Sequence, residues 1–513
     1  MTHSALNHLV TTPPAPGHHI TFRGAGTPRT LPLEEFYALS GNLARQLRAQ
    51  GLRPGDRIGI LAANCPEWAL LDLAALRLGV QTAGFEAGKF PADAALLERY
   101  GLRLLCTDQD SDHPAVLPMT RVREMAATPT DETLPPVSYG PQDATTLKFT
   151  SGSTGTPKGL AATAGSIDSS LRAVQEMFAH GPGDELFVFL PLSLLQQRYW
   201  MYSALCFGHD LTISTYGTAL AALRQTRPTV VMGVPAFYDL ARRQIETRAA
   251  RTPDAARTPD ADPADALRRA ARHLFGDRIR YLWTGSAPSA PDTLRFFTAC
   301  GLPIYEGYGM NETCIVTKNH PGARREGSVG RPVTGKEVLL DADGNISVRS
   351  DFPVGTAYTY AAPGASEQVF APDGTVRTGD IGHLDADGFL YITGRADDVV
   401  SLGNGRNIRV RPVEDRMRQS PAIAECVLFA HGDELVAVVS PADEPADRTA
   451  VAARLKSANE QGGRHERIGR VIVADQPFTI ENGLLSSQYK PLRPRIREAF
   501  LARIEDPEAG ITA

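Results

Sequence analysis

The feature that most constrains the fold is a repeated succession of short apolar runs, each followed by a helical or loop stretch. Residues 33–80 read as a helix, a strand ("DRIGILAAN") and a second amphipathic helix, and the first helix ends near Gly51, a residue suited to a helix C-terminus. Further runs of strand length follow, namely "RLLCT", "TLKFT", "LFVFLPL", "TVVMGV" and "IRYLW". This alternation is typical of parallel sheets covered by helices and predicts an α/β fold.

The character of the chain changes near Asp341. Repeated D-G pairs in "VLLDADGNISV", "APDGTVRTGD" and "LDADGFLYITG" predict hairpins and an antiparallel β subdomain. After Gly394 a new unit begins, with strands "ECVLFA" and "ELVAVVS" and two helical segments around them. The 513 residues are too many for one ordinary core. We therefore expect a large N-terminal domain of helix-covered sheets with a β subdomain over 1–394, and a small mobile α+β domain over 395–513.

Composition excludes several classes of protein. The net charge of −5 gives no electrostatic basis for binding nucleic acid or an anionic membrane. Six scattered cysteines without a C-x-x-C pair argue against a zinc site and a disulfide framework, and fit a reducing compartment. The N-terminus lacks the features of a secretion signal, and no apolar stretch reaches the length of a membrane span, about 20 residues. We predict a cytoplasmic protein with no nucleic-acid partner and no membrane span.

One short loop points to chemistry. Residues 151–159, "SGSTGTPKG", combine three glycines, four hydroxyl side chains and a single lysine. Glycines allow close backbone approach, N–H and hydroxyl groups donate hydrogen bonds, and the lysine adds charge, which together favour a polyphosphate ligand. The loop is not a Walker A motif, because Gly159 stands where that motif needs a hydroxyl. A Gly/Ser-rich run of this kind, taken by itself, is more often a surface turn.

A repeat interrupts the α/β pattern. The stretch "RTPDAARTPDADPADA" at 251–266 contains two copies of R-T-P-D-A and is rich in proline, aspartate and alanine. Such a composition cannot build a core, so we interpret the stretch as a mobile surface insertion between two helices. A partner-binding role is the alternative.

The phosphate-type loop has distant companions. They are "YEGYGMNET" (305–313), "RTGDIGHLDADGFLYITGRADDVVSLGNGRNI" (377–408) and "ENGLLSSQYKPLRPRI" (481–496). In order and approximate spacing, these segments resemble the signatures of the adenylate-forming superfamily of acyl-CoA synthetases, adenylation domains and luciferases. The resemblance covers nearly the whole chain. Through "FVFLPLSLLQQRYW" and "RPTVVMGVPAFYDL" it is nearest to the long-chain acyl-CoA synthetase-like group.

The resemblance implies roles for particular residues. It implies Mg²⁺ coordination by Glu312, a hinge at Asp397, adenine stacking on Tyr308, and contacts of Asp380 and Arg395 with the ribose or phosphate. The residues implied in catalysis are Lys490, Asn311 and Lys158. The residues implied in nucleotide binding are Thr150, Ser151, Gly152, Ser153, Thr154, Gly155, Gly285, Ser286, Ala287, Glu306, Gly307, Tyr308, Asp380 and Arg395. The residues expected in the acid pocket are Leu194, Tyr199, Trp200, Val234, Phe237, Met310 and Cys314. Without the family context, Tyr308 is better interpreted as a core aromatic and Lys490 as a solvated cation. The pocket residues fit a hydrophobic core equally well, and Asp380 fits a turn.

Three departures from the family pattern suggest an unusual acid or acceptor. Asn311 stands where the family's Y-G-x-T-E motif has threonine, and an amide differs from a hydroxyl in reach and geometry. Leu194 stands where histidine or an aromatic residue is common. The lysine segment reads "SSQYKPLR", with Pro491 directly after Lys490.

The expected activity is that of an ATP-dependent acid ligase. A fatty or aryl acid would be adenylated with release of pyrophosphate and then passed to CoA or to the phosphopantetheine thiol of an acyl carrier protein. The implied cofactors are ATP, Mg²⁺ and one of these thiols. A second interpretation is activation of another oxyanion such as nitrite, with transfer to an amine, as in ATP-dependent diazotases. A third, from another class, is a non-catalytic nucleotide-binding protein.

Overall fold

The computed structural model describes residues 4–150, 158–251, 263–396, 398–486 and 489–512. The hinge candidate Asp397 and most of the 251–266 insertion lie outside these ranges, so the expectations for them remain predictions. No helix among the described residues is long and apolar enough to cross a bilayer.

The helices and strands follow the alternation expected from the sequence. The helices are α1 (Ala5–Thr11), α2 (Leu33–Ala49), α3 (Pro66–Leu78), α4 (Ala94–Tyr100), α5 (Met119–Ala127), α6 (Ala164–Phe178), α7 (Leu195–Phe207), α8 (Ala219–Thr226), α9 (Pro235–Arg251), α10 (Pro263–Phe275), α11 (Pro291–Ala299), α12 (Ala365–Val369), α13 (Val410–Arg418), α14 (Arg448–Gln461) and α15 (Arg493–Glu505). The first thirteen strands are β1 (His19–Arg23), β2 (Arg29–Pro32), β3 (Arg57–Leu61), β4 (Gln81–Phe85), β5 (Leu104–Thr107), β6 (Val116–Pro118), β7 (Ala144–Thr150), β8 (Lys158–Thr163), β9 (Glu185–Val188), β10 (Asp210–Ser214), β11 (Val230–Met232), β12 (Tyr281–Thr284) and β13 (Ile304–Met310). The remaining strands are β14 (Cys314–Lys318), β15 (Arg331–Pro332), β16 (Lys336–Leu340), β17 (Asn345–Ser350), β18 (Val376–Leu384), β19 (Leu390–Arg395), β20 (Val399–Ser401), β21 (Asn407–Arg409), β22 (Ile423–His431), β23 (Glu434–Pro441), β24 (Ile468–Val473) and β25 (Ile511–Thr512).

The described strands form five sheets. Two are large, in the orders β15-β14-β13-β12-β11-β9-β10-β1-β2 and β6-β5-β3-β4-β7-β8. Their central strands pair in parallel, as in β9–β11–β12–β13 and β5–β3–β4–β7, and antiparallel partners such as β2, β8 and β14 lie toward the ends. The smaller sheets are β16-β17-β18-β19, β20-β21 and β22-β23-β24-β25. The predicted α/β class is confirmed.

The hairpins beyond Asp341 form as their turn residues predict. Asp341 accepts hydrogen bonds from the N–H groups of Asp343 and Asn345 between β16 and β17. Asp385 does the same for Asp387 and Phe389 between β18 and β19. An aspartate that bonds the backbone two and four residues ahead holds the chain in a tight turn, which explains the D-G signals in the sequence.

Packing divides the chain into two compact units. One comprises Met1–Leu339, Ser347–Thr378 and Leu384–Tyr391, and the other comprises Leu340–Ile346, Gly379–His383 and Ile392–Ala513. In the second unit, β22 alternates its side chains: Leu428 joins the core formed with α13 and α14, and Phe429 joins the core formed with α15. Helices therefore cover both faces of the β22–β25 sheet. Three helices lie here, α13, α14 and α15, where the sequence had indicated two.

Candidate active site

The β7–β8 hairpin positions Lys158 at the start of β8. Thr150 pairs with Lys158 and Phe149 with Gly159 across the hairpin. Gly159 also exchanges two backbone hydrogen bonds of 2.7 Å with Thr359, and a Cβ atom at Gly159 would lie only 2.7 Å from the Thr359 hydroxyl oxygen. Glycine therefore leaves room here for close backbone approach without displacing neighbouring side chains. The predicted phosphate-binding residues between the strands, Ser151, Gly152, Ser153, Thr154 and Gly155, lie outside the described residues, as does the side chain of Thr150.

Tyr358 joins the lysine of this hairpin to the predicted metal ligand. The ammonium of Lys158 lies over the Tyr358 ring, 5.0 Å from its centroid, and the Tyr358 hydroxyl donates a 2.5 Å hydrogen bond to Glu312 Oε1. Glu312 is 6% exposed. Burial and the Glu312 carboxylate both raise the pKa of Tyr358, so its hydroxyl remains a donor. Sequence reasoning missed Tyr358, because a tyrosine in an irregular stretch carries no signal of periodicity or motif.

The turn that carries Glu312 has a constrained backbone. Thr313 Oγ1 accepts a hydrogen bond from the Met310 N–H, and Cys314 adopts a positive φ of 55°. At Gly309, a Cβ atom would lie 2.0 Å from the Cys314 carbonyl oxygen. Asn311, the predicted catalytic residue, lies half-buried in this turn. The turn thus fixes the direction of the Glu312 carboxylate without help from a ligand.

The two segments expected around adenine come together. Strands β12 and β13 are parallel neighbours, with Thr284 opposite Glu306, so Gly285, Ser286 and Ala287 follow β12 beside the predicted residues Glu306, Gly307 and Tyr308. The N–H of Ser289 donates to Glu306 Oε1 at 3.3 Å, while burial raises the pKa of Glu306. The Thr284 hydroxyl is buried and has no hydrogen-bond partner among the described residues. A crevice at the carboxyl ends of parallel strands is the usual location of a ligand in open α/β sheets.

Lys318 lies under these segments and was not predicted. It is fully buried, and its ammonium donates to the carbonyls of Tyr305 (2.7 Å) and Thr284 (3.2 Å) and lies 3.4 Å from the centroid of the Trp283 ring. Burial lowers the pKa of Lys318 well below its ordinary value, with an opposing contribution from Glu306. Lys318 therefore ties the ends of β12 and β13 together.

In the second unit, Asp380 on β18 and Arg395 at the end of β19 are paired. Arg395 Nη1 donates to Asp380 Oδ1 at 3.1 Å, and the Asp380 side chain is 12% exposed. Lys490 lies in a tight loop, where its N–H bonds the Ser486 hydroxyl and its carbonyl accepts from the Ser486 N–H. Lys490 keeps part of its surface exposed. Desolvation nevertheless lowers its pKa, the Asp380 carboxylate raises it, and the Arg395 guanidinium lowers it. The electrostatic influence of Asp380 and Arg395 on Lys490 thus connects three predicted residues from distant segments.

The structure brings four of the seven predicted acid-pocket residues into one core, and the other three are described separately. Tyr199 of α7 and Cys314 of β14 meet, with the hydroxyl oxygen and sulfur 3.1 Å apart, and Trp200 and Met310 pack in the same core. Phe237 instead packs on Phe189, with ring centroids 4.4 Å apart. Leu194 precedes the first residue of α7, and Val234 is buried directly before α9. One residue at this position was missed: Lys148 of β7 donates to Cys314 Sγ at 3.7 Å.

The residues present fit one Mg²⁺ ion only if phosphate supplies further ligands. Among the described residues, no group of three or more His, Cys, Asp or Glu side chains could enclose a metal ion. Mg²⁺ bound with nucleotides commonly uses one or two carboxylates together with phosphate and water oxygens. A single buried carboxylate held by a phenol, as at Glu312, suits that arrangement.

Comparisons with known proteins identify the family. The profile of the AMP-binding enzyme family matches residues 14–351, and a profile described as the AMP-binding enzyme C-terminal domain matches residues 397–507. The chain therefore belongs to the AMP-binding enzyme family. The predicted superfamily and the predicted class, an AMP-forming acyl-CoA synthetase-like ligase, are confirmed.

Individual relatives agree with this family. The chain is 27% identical to the long-chain-fatty-acid–CoA ligase FadD15 of Mycobacterium bovis, over 90% of each chain. Its fold is similar to that of o-succinylbenzoate CoA synthetase from Bacillus subtilis (TM-score 0.75, 22% identity, 99% of each chain). It is also similar to the adenylation domain of a carboxylate reductase from Mycobacterium chelonae (TM-score 0.78, 22% identity, 98% of this chain and 89% of that one). These structural likenesses cover nearly the whole chain.

Proposed function

We propose that the protein uses ATP to adenylate a carboxylic acid and transfers the acyl group to the thiol of coenzyme A. The main support is the contact of the Lys158 ammonium with the Tyr358 ring and the hydrogen bond from the Tyr358 hydroxyl to Glu312. These contacts bring a cation from the phosphate-type loop and a buried carboxylate into one site, although the two are far apart in sequence. The similarity to CoA ligases supports the choice of acid and acceptor.

In the first half-reaction, an oxygen of the substrate carboxylate attacks the α-phosphorus of ATP. The bond to the bridging oxygen breaks, its electron pair leaves with pyrophosphate, and an acyl-adenylate forms. Lys158 and the donors of residues 150–155 would stabilise the charge on the departing phosphates, since preorganised donors act most strongly where charge develops. Glu312 would hold Mg²⁺, which when bound neutralises phosphate charge. Asn311 would donate its amide to the α-phosphate.

The predicted nucleotide residues would orient ATP for this attack. Asp380, with a carboxylate already held by Arg395, is suited to accept hydrogen bonds from the ribose hydroxyls. Tyr308 offers a ring for stacking on adenine, and Lys318 stiffens the strand ends that carry it. Lys490 would bring its charge to the reacting carboxylate and α-phosphate, a task that suits a compact cation on a flexible stem.

In the second half-reaction, the thiol of coenzyme A attacks the acyl carbon and AMP leaves. Activating the acid first separates a difficult substitution into two easier ones. We assign the adenylation lysine to a C-terminal domain of residues 395–513, with Asp397 as the hinge that lets this domain move between the two half-reactions. A carrier-protein phosphopantetheine is the alternative acceptor, and the similarity to a carboxylate reductase adenylation domain motivates testing it.

A pyrophosphate-release screen tests the proposal. Purified protein and MgATP are incubated with fatty, aryl and amino acids and with nitrite, each with and without coenzyme A or a simple arylamine. We expect pyrophosphate with a carboxylic acid and, with coenzyme A, a thioester detected by mass spectrometry. Pyrophosphate that requires nitrite and an amine, without a thioester, would replace this function with the diazotase-like one. ATP binding without pyrophosphate release from any substrate would support a non-catalytic nucleotide-binding protein.

Replacement of the proposed adenylation lysine provides the second arm of that test. Lys490→Ala should abolish acyl-adenylate formation while leaving ATP affinity nearly unchanged. Lys456→Ala, at an exposed position on α14, is the matched control and should retain activity. Normal adenylation by Lys490→Ala would contradict the assignment of Lys490.

A further inference from the structure

Lys148 is a buried cation with a weak partner. It lies in β7 with 3% of its surface exposed. Among the described residues, its ammonium has one hydrogen-bond acceptor, Cys314 Sγ at 3.7 Å. A thiol sulfur accepts hydrogen bonds weakly, and an ammonium removed from water without an opposite charge is destabilised by several kcal/mol. The folded protein therefore buries a donor that the described side chains satisfy only weakly.

The charges around Lys148 do not balance it. Lys336 is nearby and uses its ammonium on the Thr313 carbonyl (2.9 Å) and the Ser350 hydroxyl (2.8 Å). Burial lowers the pKa of Lys336, Cys314 and Asp351 raise it, and the Lys148 charge lowers it. No carboxylate forms an ion pair with Lys148 within the part of the chain that the structure describes. Residues 151–157, which follow β7 directly, contain no aspartate or glutamate.

Asp72, the buried carboxylate on the same side of β7, already has an ion-pair partner. Thr146, two residues before Lys148 on the strand, accepts a hydrogen bond from Arg198. Arg198 and Tyr202 also hold Asp72, at 2.8 Å and 2.5 Å, and this group is fully buried. Asp72 is thus neutralised by its own arginine, and Lys148 remains the unmatched charge.

The location of Lys148 connects it with the acid pocket. Cys314, its contact, also meets the Tyr199 hydroxyl at 3.1 Å, and both Cys314 and Tyr199 are predicted pocket residues. Cys314 follows Glu312 by two residues, and Lys148 precedes Thr150 by two residues. Burial raises the pKa of Tyr199 well above its ordinary value, so Tyr199 stays protonated and can donate. Two donors, one of them charged, therefore lie beside the proposed metal and phosphate segments.

We propose that Lys148 and Tyr199 form an anion-binding subsite of the acid pocket, and that the substrate carries a second carboxylate remote from the one that reacts. This inference rests on the proposed function and specifies its substrate class. A simple fatty acid would place methylene groups against the unpaired ammonium and leave it unsatisfied. A dicarboxylic acid would supply the missing charge and accept from both donors.

The test compares matched acids in the wild type and in Lys148→Met, which keeps most of the length of the side chain but removes the ammonium. The pairs are heptanoate against pimelate and 4-methylbenzoate against terephthalate, and kcat/KM is obtained from pyrophosphate release. Hydrogen bonds to charged groups contribute about 1.5–3 kcal/mol, which corresponds to about a 10- to 150-fold preference of the wild type for the diacids. Lys148→Met should lose this preference while still adenylating the monoacids, and Lys148→Arg should keep part of it. Lys89→Met, at a surface ion pair, is the control and should behave as the wild type.

The possible results distinguish failure of the subsite from failure of the ligase function. A wild type that adenylates monoacids as well as diacids, or better, overturns the subsite and leaves the ligase function standing. Absence of pyrophosphate release with every carboxylic acid removes the ligase function, and the subsite is then decided by binding alone. In that case, pimelate or terephthalate without ATP should raise the melting temperature of the wild type but not of Lys148→Met. No shift in the wild type, or equal shifts in both proteins, overturns the subsite.

Folding of the variant is checked separately. The melting temperature and circular dichroism spectrum of Lys148→Met are measured before the kinetics. If Lys148→Met does not fold, Tyr199→Phe removes the second donor with little change of volume, and its diacid preference should fall relative to the wild type. An unchanged diacid preference in a folded Tyr199→Phe contradicts the proposed subsite.

Discussion

Two lysines on the same β-hairpin, Lys148 in β7 and Lys158 in β8, have opposite environments. Lys158 is half-buried, lies over the ring of Tyr358 and belongs to a motif of glycines and hydroxyl side chains. Lys148 is almost completely buried, contacts a thiol and belongs to no motif. We infer a division of labour: Lys158 serves the phosphates that every substrate shares, and Lys148 selects the acid. Substitutions at the two positions should therefore change different kinetic quantities.

The largest effect is expected at Lys158. Lys158→Met removes a charge that faces the departing phosphates, so kcat should fall about 10²–10³-fold with every acid, in line with the loss of one preorganised electrostatic contact. The ratio of kcat/KM between diacid and monoacid should not change, in contrast to Lys148→Met. Pyrophosphate release with the two pairs of acids measures both quantities. A Lys158→Met variant that changes the acid preference but not kcat would reverse the assignment of the two lysines.

A smaller effect is expected at Tyr358, which links Lys158 to Glu312. Tyr358→Phe removes the hydroxyl that holds the carboxylate, so the rate should fall about tenfold and more Mg²⁺ should be needed for half-maximal activity. The matched control is Tyr360→Phe, on the same loop, whose hydroxyl bonds Arg57 and the Tyr100 carbonyl instead. An unchanged Mg²⁺ dependence in Tyr358→Phe would show that Tyr358 does not act through Glu312.

The smallest effect is expected on stability, and it involves two buried histidines, His180 and His209. Burial lowers the pKa of His180 to about 3 and that of His209 to about 4, from 6.5. Below pH 6.5 the unfolded chain takes up protons that the folded chain does not, so the free energy of unfolding should fall progressively toward pH 4. Each such histidine contributes a slope of at most about 1.4 kcal/mol per pH unit. The contribution of these histidines to the free energy of unfolding is complete above pH 6.5 and is lost as the pH falls.

Urea unfolding at pH 7, 6 and 5 measures this slope. His180→Phe should give a shallower slope than the wild type, although it removes the hydrogen-bond partner of the Tyr281 hydroxyl, 2.6 Å from His180 Nε2. His8→Phe, on the exposed side of α1, is the matched control for the substitution itself. Equal slopes in the wild type and His180→Phe would contradict the account of this buried base.

The same two lysines show how far sequence reasoning reaches. Lys158 was found because its neighbours are small, hydroxyl-bearing and arranged as a motif, and the strand alternation located β7 correctly. Lys148 was passed over inside "TLKFT", since a lysine within a strand suggests a solvated face. Strands of parallel sheets are buried on both faces, however, so a lysine in such a strand is itself a signal. Tyr358 and Lys318 had no comparable signal, because their roles depend on contacts between segments distant in sequence.

In the proposed first half-reaction, an oxygen of the substrate carboxylate becomes bonded to the α-phosphorus of ATP. An acid labelled with ¹⁸O in both carboxylate oxygens measures this directly when AMP is analysed by mass spectrometry after thioester formation. One ¹⁸O atom is expected in each AMP molecule, because the thiol breaks the bond between the acyl carbon and that oxygen. AMP without ¹⁸O would contradict this half-reaction.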